Sequence, residues 1–303
     1  MPRAHGTGRS GESRSGELPA WQSEILLLGD GTVLVECGPM RMFMEASQGG
    51  IPRPDACRAA AGKAIGFLEE AALVKDSLSV PWVSCMEPDP GTPAHTMWHA
   101  VRRIGDADLT PMAAVAGTIA GATADFLAGL GMTRVLVNNG GDLALRLERD
   151  ERVFVGIRPD VQGTALSHRV LITPETGIRG VATSGFGGRS FTRGTASAAV
   201  VLSADAAWAD AAATAVGNAT YVETRAVQRM RADLQYPDTD LKGVEVTVSV
   251  GELSEAVIKT ALGQGIEKAE ELVERDVIWG ACIFVKGRMM STGRLLNRLE
   301  PLA

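Results

Sequence analysis

The sequence predicts an α+β fold with mixed or antiparallel sheets and packed helices. Strand-like segments come in runs, and only a few long helical segments interrupt them, whereas a regular parallel winding would alternate the two. Composition agrees: 303 residues, 45% hydrophobic and 22% charged, make a globular chain able to bury a large core.

Taken in order, MPRAHGTGRSGESRSGEL is rich in Gly, Ser, Arg and Glu and has no apolar stretch. Residues 1–20 are therefore expected to form a disordered tail, not a secretory signal. Residues 21–303 are expected to form a single α+β domain, with room for two intertwined subdomains. SEILLLGDGTVLVEC sets two apolar runs around Asp30-Gly31, a hairpin turn, and MRMFMEA offers a third strand. Good helix formers dominate from Pro54 to about Leu73, with Glu69 and Glu70 on the polar side. MEPDPGTP is a loop before a shorter helix over His95 to Ile104.

The best-marked helix follows, with Thr110 as N-cap and Pro111 at the first helical position, where a missing N–H costs nothing. The glycines at 129 and 131 stop it. Strands are expected near 134–138, 143–147, 153–157, 168–172 and 196–202, then a second Ala-rich helix from Ala204 to Gly217 capped by Ser203. YPDTDLKG reads as a loop, VEVTVSVG as a strand, and LSEAVIKTALGQGIEKAEELVER as a helix. VIWGACIFVKGRMM reads as one or two strands.

The net charge of -6 and a pI near 5.4 argue against non-specific nucleic-acid binding, and 5% aromatics leave few platforms for stacked bases. Cys37, Cys57, Cys85 and Cys282 form no CxxC pair, so buried thiols in a reducing compartment are expected, with neither zinc nor a disulfide framework. No run approaches the ~20 apolar residues of a membrane span, and a cytoplasmic location is the expectation. The strand-rich ends are compatible with a homo-oligomer.

Three segments carry candidate chemistry. VNNGGDL holds Asn138, Asn139, Gly140, Gly141 and Asp142. One Asn-Gly pair would suffice for a turn, while paired glycines also let a ligand reach backbone N–H groups. In ADAAATAVGN, Asp210 and Thr214 stand four apart on a helix with their oxygens on one side. That is a hard-oxygen set for Mg²⁺, although taken alone an exposed Asp beside a back-bonded Thr is the simpler reading. GVATSGFGGRSFTRG carries Thr183, Ser184, Gly185, Arg189 and Arg193, which could hold phosphate through hydroxyls, turn N–H groups and guanidinium forks. His95 and His99 have helical metal-pair spacing but lack the Glu of HExxH, so a half-buried helix face is the simpler reading. PETG is most simply a turn, and neither a dinucleotide fingerprint nor a P-loop is present.

In order and spacing, DLTPMAAVAG, LVNNGGDL, and ATSG followed by DAAAT resemble the motifs of the ApbE-like family, the FAD:protein FMN transferases and their relatives. The likeness spans about Asp108 to Asn218 and is nearest to an uncharacterised branch with a similar PMAAVAG helix and ATSG before Gly-Gly-Arg-Ser. It implies Mg²⁺ held by Asp210, Thr214 and the Ala113 carbonyl, and a pocket for a flavin nucleotide such as FAD or another anionic small molecule. That pocket would be bordered by 138–142, with 183–185 near phosphate or flavin. Asp142 would be the general base if FMN is transferred from FAD. Ala114 stands where the transferases usually carry lysine, and their His-x-x-Asp-Pro segment is missing. Two other readings follow from those departures. One is a different enzyme on this scaffold, holding a small carboxylated or cyclic substrate with Arg189 and Arg193. The other is a non-catalytic binding or assembly protein.

Overall fold

A computed structural model describes residues 21–302, so the expected tail over 1–20 lies outside the described residues. The strands β1 (Ser23–Leu27), β2 (Val33–Cys37) and β3 (Met40–Gln48) form a meander, and β4 (Ile51–Pro52) folds back on β3. The helices α1 (Pro54–Leu73), α2 (Lys75–Leu78) and α3 (Pro93–Ile104) follow; a 3-10 turn over Pro111–Ala114 then leads into α4 (Val115–Gly129). Six strands come next: β5 (Arg134–Asn139), β6 (Asp142–Leu147), β7 (Val153–Ile157), β8 (His168–Ile172), β9 (Gly180–Ser184) and β10 (Ala198–Ser203). The remainder is α5 (Ala206–Ala219), β11 (Val227–Arg231), α6 (Ala232–Gln235), β12 (Glu245–Val250), α7 (Glu255–Glu274), β13 (Gly280–Val285), β14 (Arg288–Ser291), α8 (Gly293–Leu296) and β15 (Leu299–Pro301).

The α+β expectation holds. A ten-stranded sheet runs β1-β2-β3-β5-β6-β9-β10-β13-β14 with β4 beside β3, and its pairings are antiparallel. Side-chain alternation divides it between two cores. In β10, Ala199 and Val201 face the helices α3, α5 and α7, while Ala198, Val200 and Leu202 face the small sheet β15-β8-β7. β13 does the same with Ile283 and Phe284, which is why both strands are apolar throughout. The expected strands at 153–157 and 168–172 thus exist but belong to a separate covering sheet.

Small residues let the helices approach closely. A Cβ on Gly117 of α4 would sit 2.3 Å from the Ala206 carbonyl oxygen and 2.8 Å from the Asp210 Cβ, so only glycine fits that crossing.

Three expectations need correction. Asp205, not Ser203, caps α5: its carboxylate accepts hydrogen bonds from the N–H groups of Ala207 (2.8 Å) and Trp208 (3.1 Å). Ser203 ends β10, and its hydroxyl donates to the Val277 carbonyl at 2.9 Å. Thr110 precedes only the 3-10 turn and makes no side-chain cap, so α4 starts at Val115 behind Ala114. The third concerns membranes: Pro111–Gly129 is, by length and composition, long and apolar enough to cross one. In this fold the segment packs against α1, α5, β5 and β6, with Ile119, Ala120, Ala124 and Leu127 in a hydrophobic core.

Candidate functional site

The turn singled out in the sequence is a two-residue hairpin. Gly140 and Gly141 have φ of 71° and 120°, conformations that glycine adopts without strain, and Asn139 stands directly opposite Asp142. The Asn138 Oδ1 accepts a hydrogen bond from the Gly141 N–H at 3.0 Å and so closes the turn.

Strand alternation then separates the candidates. Asn139 and Asp142 share the helix-facing side with Val137 and Ala144, and further along β6 Arg146 pairs with Asp125 of α4 at 2.6 Å. Asn138 and Thr183 fall on the opposite side, that of Leu136, Leu143 and Val181. Ser184 returns to the helix side, where a Cβ on Gly217 of α5 would be 3.6 Å from its hydroxyl. Gly185 is needed for close packing, since a Cβ there would lie 2.5 Å from the Ser197 carbonyl oxygen.

Asp210 projects from α5 toward the start of α4. Its Oδ2 accepts a hydrogen bond from the Gly117 N–H at 2.8 Å. Because α4 has alanine at its own N-cap, Asp210 supplies from another helix the acceptor that the first turn lacks. The Asn139 amide adds a bond to the Ala116 carbonyl at 3.2 Å, joining the hairpin to the same helix start.

Asp142 and Asp210 are thereby brought together. Burial pushes the Asp210 carboxyl up to about 7, against the N–H groups of Gly117 and Ala116, which favour its charged form. Burial raises Asp142 well above the ordinary carboxylate range, and the charge of Asp210 raises it further. The Thr183 main chain and the Arg189 guanidinium pull it the other way.

Thr214 lies one turn beyond Asp210 and shares its helical stripe with Gly217, so that stripe runs from Asp142 toward Ser184. Ala113 sits in the 3-10 turn that packs on α5, its N–H donating to the Thr110 carbonyl at 3.0 Å. Arg189 reaches back over the hairpin: it hydrogen-bonds the Pro39 carbonyl, and a Cβ on Gly140 would be 3.0 Å from its Nη1. Arg193 turns elsewhere, pairing with Asp108, while its main-chain N–H donates to Asn218 Oδ1 at 2.9 Å.

His95 and His99 stack with ring centroids 6.2 Å apart, and His95 Nε2 is 3.5 Å from Glu87. Among the described residues no group of three or more His, Cys, Asp or Glu gathers as a metal site. A cation beside Asp142 and Asp210 would therefore draw on hydroxyl and carbonyl oxygens as well. The cysteines are free thiols, and burial pushes Cys282 up to about 12.

Sequence reasoning missed Gly117, Asp205, and the hold of Asp108 on Arg193. Asp205 was the readable one, as an Asp two residues before the Ala-Trp start of a helical run. Gly117 meets Asp210 across 93 positions, which no local pattern encodes.

The model of a family described as AbpE bacteria matches residues 25–291. A UPF0280 protein of Methanocella arvoryzae is 45% identical over 116 residues, 37% of this chain and 45% of that protein. A UPF0280 protein of Methanosarcina barkeri is 41% identical over 119 residues, 39% of this chain and 46% of that one. The chain thus spans about half the length of the curated relatives it matches. Two solved structures are similar at low identity. The apo flavinyl transferase ApbE of Pseudomonas stutzeri has a TM-score of 0.46 and 13% identity, covering 92% of this chain and 96% of that one. The ApbE protein of Thermotoga maritima has a TM-score of 0.45 and 10% identity, covering 92% and 99%.

Proposed function

This chain belongs to the AbpE bacteria family, and on that premise we propose that it binds an anionic small molecule at a cation-assisted site beside Asp142 and Asp210. The carrying observation is that half-buried carboxylate pair, in which the charge of Asp210 acts on Asp142 and desolvation holds both carboxyls above their ordinary range. Two neighbouring, partly desolvated carboxylates repel, and a proton or a cation between them relieves the repulsion. Asp210, Thr214 and the Ala113 carbonyl would supply the cation's oxygens, and such hard donors fit Mg²⁺, which takes few protein ligands and several waters. When bound, the ion supplies charge neutralisation to phosphate oxygens.

The chain's own groups do the rest. Arg189 offers a guanidinium fork to the anion above the Gly140-Gly141 turn, and the Ser184 hydroxyl lies along the same face. Asp142, its pKa raised, is placed to take a proton. The specific reaction that the ApbE-like resemblance implies is FMN transfer from FAD. An acceptor hydroxyl oxygen bonds to the phosphorus of the FMN half, its proton passes to Asp142, and the pyrophosphate bond breaks to release AMP.

One observation favours a second reading. Ala114, where the transferases usually carry lysine, is wholly buried in an apolar core, so no ammonium can act there. On that reading the same pocket holds a small carboxylated or cyclic substrate through Arg189, without flavin. Titration calorimetry with Mg²⁺ and Mn²⁺ tests the shared cation site: Asp210→Ala is expected to abolish binding, and unchanged affinity would sink the assignment. Incubation with FAD, Mg²⁺ and a hydroxyl-bearing acceptor peptide separates the two readings. A mass gain equal to FMN supports transfer, and its absence, with cation binding intact, supports the second.

A further inference from the structure

We propose that the open edge of β1 is a self-association surface, where a second copy of this chain pairs its own β1 antiparallel about a two-fold axis through Leu26. β1 ends the ten-stranded sheet and, among the described residues, pairs only with β2. Its five residues are all exposed, with Ile25 at 39%, Leu26 at 38% and Leu27 at 47%. Soluble chains guard such an edge with charges, proline, a bulge or a covering segment. β1 carries Glu24 alone, and its pairing with β2 runs without a register shift. The opposite edge, β14, is only four residues long, and its Arg288 is engaged by Glu255 at 2.8 Å.

Both faces of the sheet stop short at β1. Ile25 and Leu27 stand opposite Val35 and Val33, which are fully buried in the core shared with α1. Leu26 stands opposite the buried Leu34 on the other face. An occupant that covers both faces at once is a strand laid beside β1. The hairpin is already set for it. The Trp21 ring packs over Gly38, where an added Cβ would lie 2.5 Å away, and the Asp30 Oδ1 accepts from the Thr32 N–H at 3.0 Å.

Backbone direction and side-chain chemistry then select the partner and its register. The Leu28 N–H donates to the Thr32 carbonyl of the β2 side at 2.9 Å. Alternation turns the N–H and C=O groups of Glu24 and Leu26 the same way, and those of Ser23, Ile25 and Leu27 to the open edge. A two-fold ladder must match outward groups with outward groups, so its axis passes through a residue and not between two. An axis through Leu26 sets Leu26 against its own copy and each Ile25 against a Leu27. Through Ile25, each Glu24 would face a Leu26; through Glu24, two carboxylates would face each other; through Leu27, Glu24 would face Asp30. Only the Leu26 axis places every exposed apolar side chain against another, and like charges directly opposite are destabilising. That self-complementarity is the reason the occupant is a second copy. The surface uses none of the residues assigned to the cation and anion site, so it stands or falls apart from that reading.

Sedimentation velocity over a dilution series is expected to show a reversible monomer–dimer equilibrium with no larger species. Leu26→Lys is expected to weaken dimerisation by at least about tenfold. Its melting temperature should match that of the parent at dilutions where both are monomeric, since Leu26 is an exposed edge position. In a Cys85→Ser background the remaining native thiols are buried. There Leu26→Cys is expected to give a disulfide-linked dimer on mild oxidation, because directly opposed strand residues lie about 4.5–5.5 Å apart. Glu24→Cys is expected to stay unlinked, its two copies lying about 14 Å apart along the strand. A parent that is monomeric at every concentration leaves the edge to another occupant and overturns the proposal. So do assembly beyond two copies, a dimer that survives Leu26→Lys, or cross-linking through Glu24→Cys in place of Leu26→Cys.

Discussion

Asp142 and Asp210 can be judged one residue at a time because each carries a load that substitution removes. Their folded carboxyls keep protons that the unfolded chain releases near its ordinary value of 3.8. The contribution of this pair to folding stability is therefore fully present below that value and is lost as pH rises through the Asp210 value of about 7. Without divalent cations, Asp142→Asn should raise stability by about 1–3 kcal/mol at about pH 8 and flatten this decline. Thermal melts at about pH 5 and about pH 8 check it, and a variant that melts lower than the parent at the higher pH refutes it. Asp205→Ala should cost about 1 kcal/mol by leaving the Ala207 and Trp208 N–H groups without their acceptor. At this scale the sequence was informative about residue type. Asp142, Asp210 and Thr214 stood out by their chemistry, but not the pairing of the first two, because they lie 68 positions apart (210 minus 142).

At the scale of elements, the α4–α5 crossing decides the site. Helix α4 begins without a cap of its own and borrows Asp210, which is possible only because Gly117 lets α5 come within backbone contact. Gly117→Ala should destabilise the protein by about 1–3 kcal/mol, since the added methyl meets the rigid Ala206 carbonyl and the Asp210 Cβ rather than a flexible tip. Urea unfolding measures the loss, and a weaker response to Mg²⁺ should accompany it as Asp210 is pushed aside. The hairpin β5–β6 was readable because paired glycines and flanking apolar runs are local signals. Which face Asn138 and Thr183 take was not, because a strand pattern fixes alternation but not which side the helices cover.

For the molecule as a whole, stability rests on three layers: helices, the ten-stranded sheet, and the covering sheet β15-β8-β7. Phe284 is 3% exposed between the two sheets, and Phe284→Ala should cost about 3–5 kcal/mol. A guanidinium chloride titration followed by both near- and far-UV circular dichroism checks this. Coincident transitions shifted to lower denaturant are expected, because the covering sheet and the main sheet share that core.

The sequence by itself determined the kinds of element, the glycine hairpin, the Ala-rich helices and the likeness to ApbE-like motifs. Those properties come from short-range periodicity and turn chemistry, which a few neighbouring residues encode. Only the tertiary structure decided that 153–157 and 168–172 leave the main sheet, that Asp210 caps a helix not its own, and that Arg189 reaches over the glycine hairpin to the Pro39 carbonyl. Such meetings follow from how the closed chain packs its layers, and a local pattern carries no record of its distant partner.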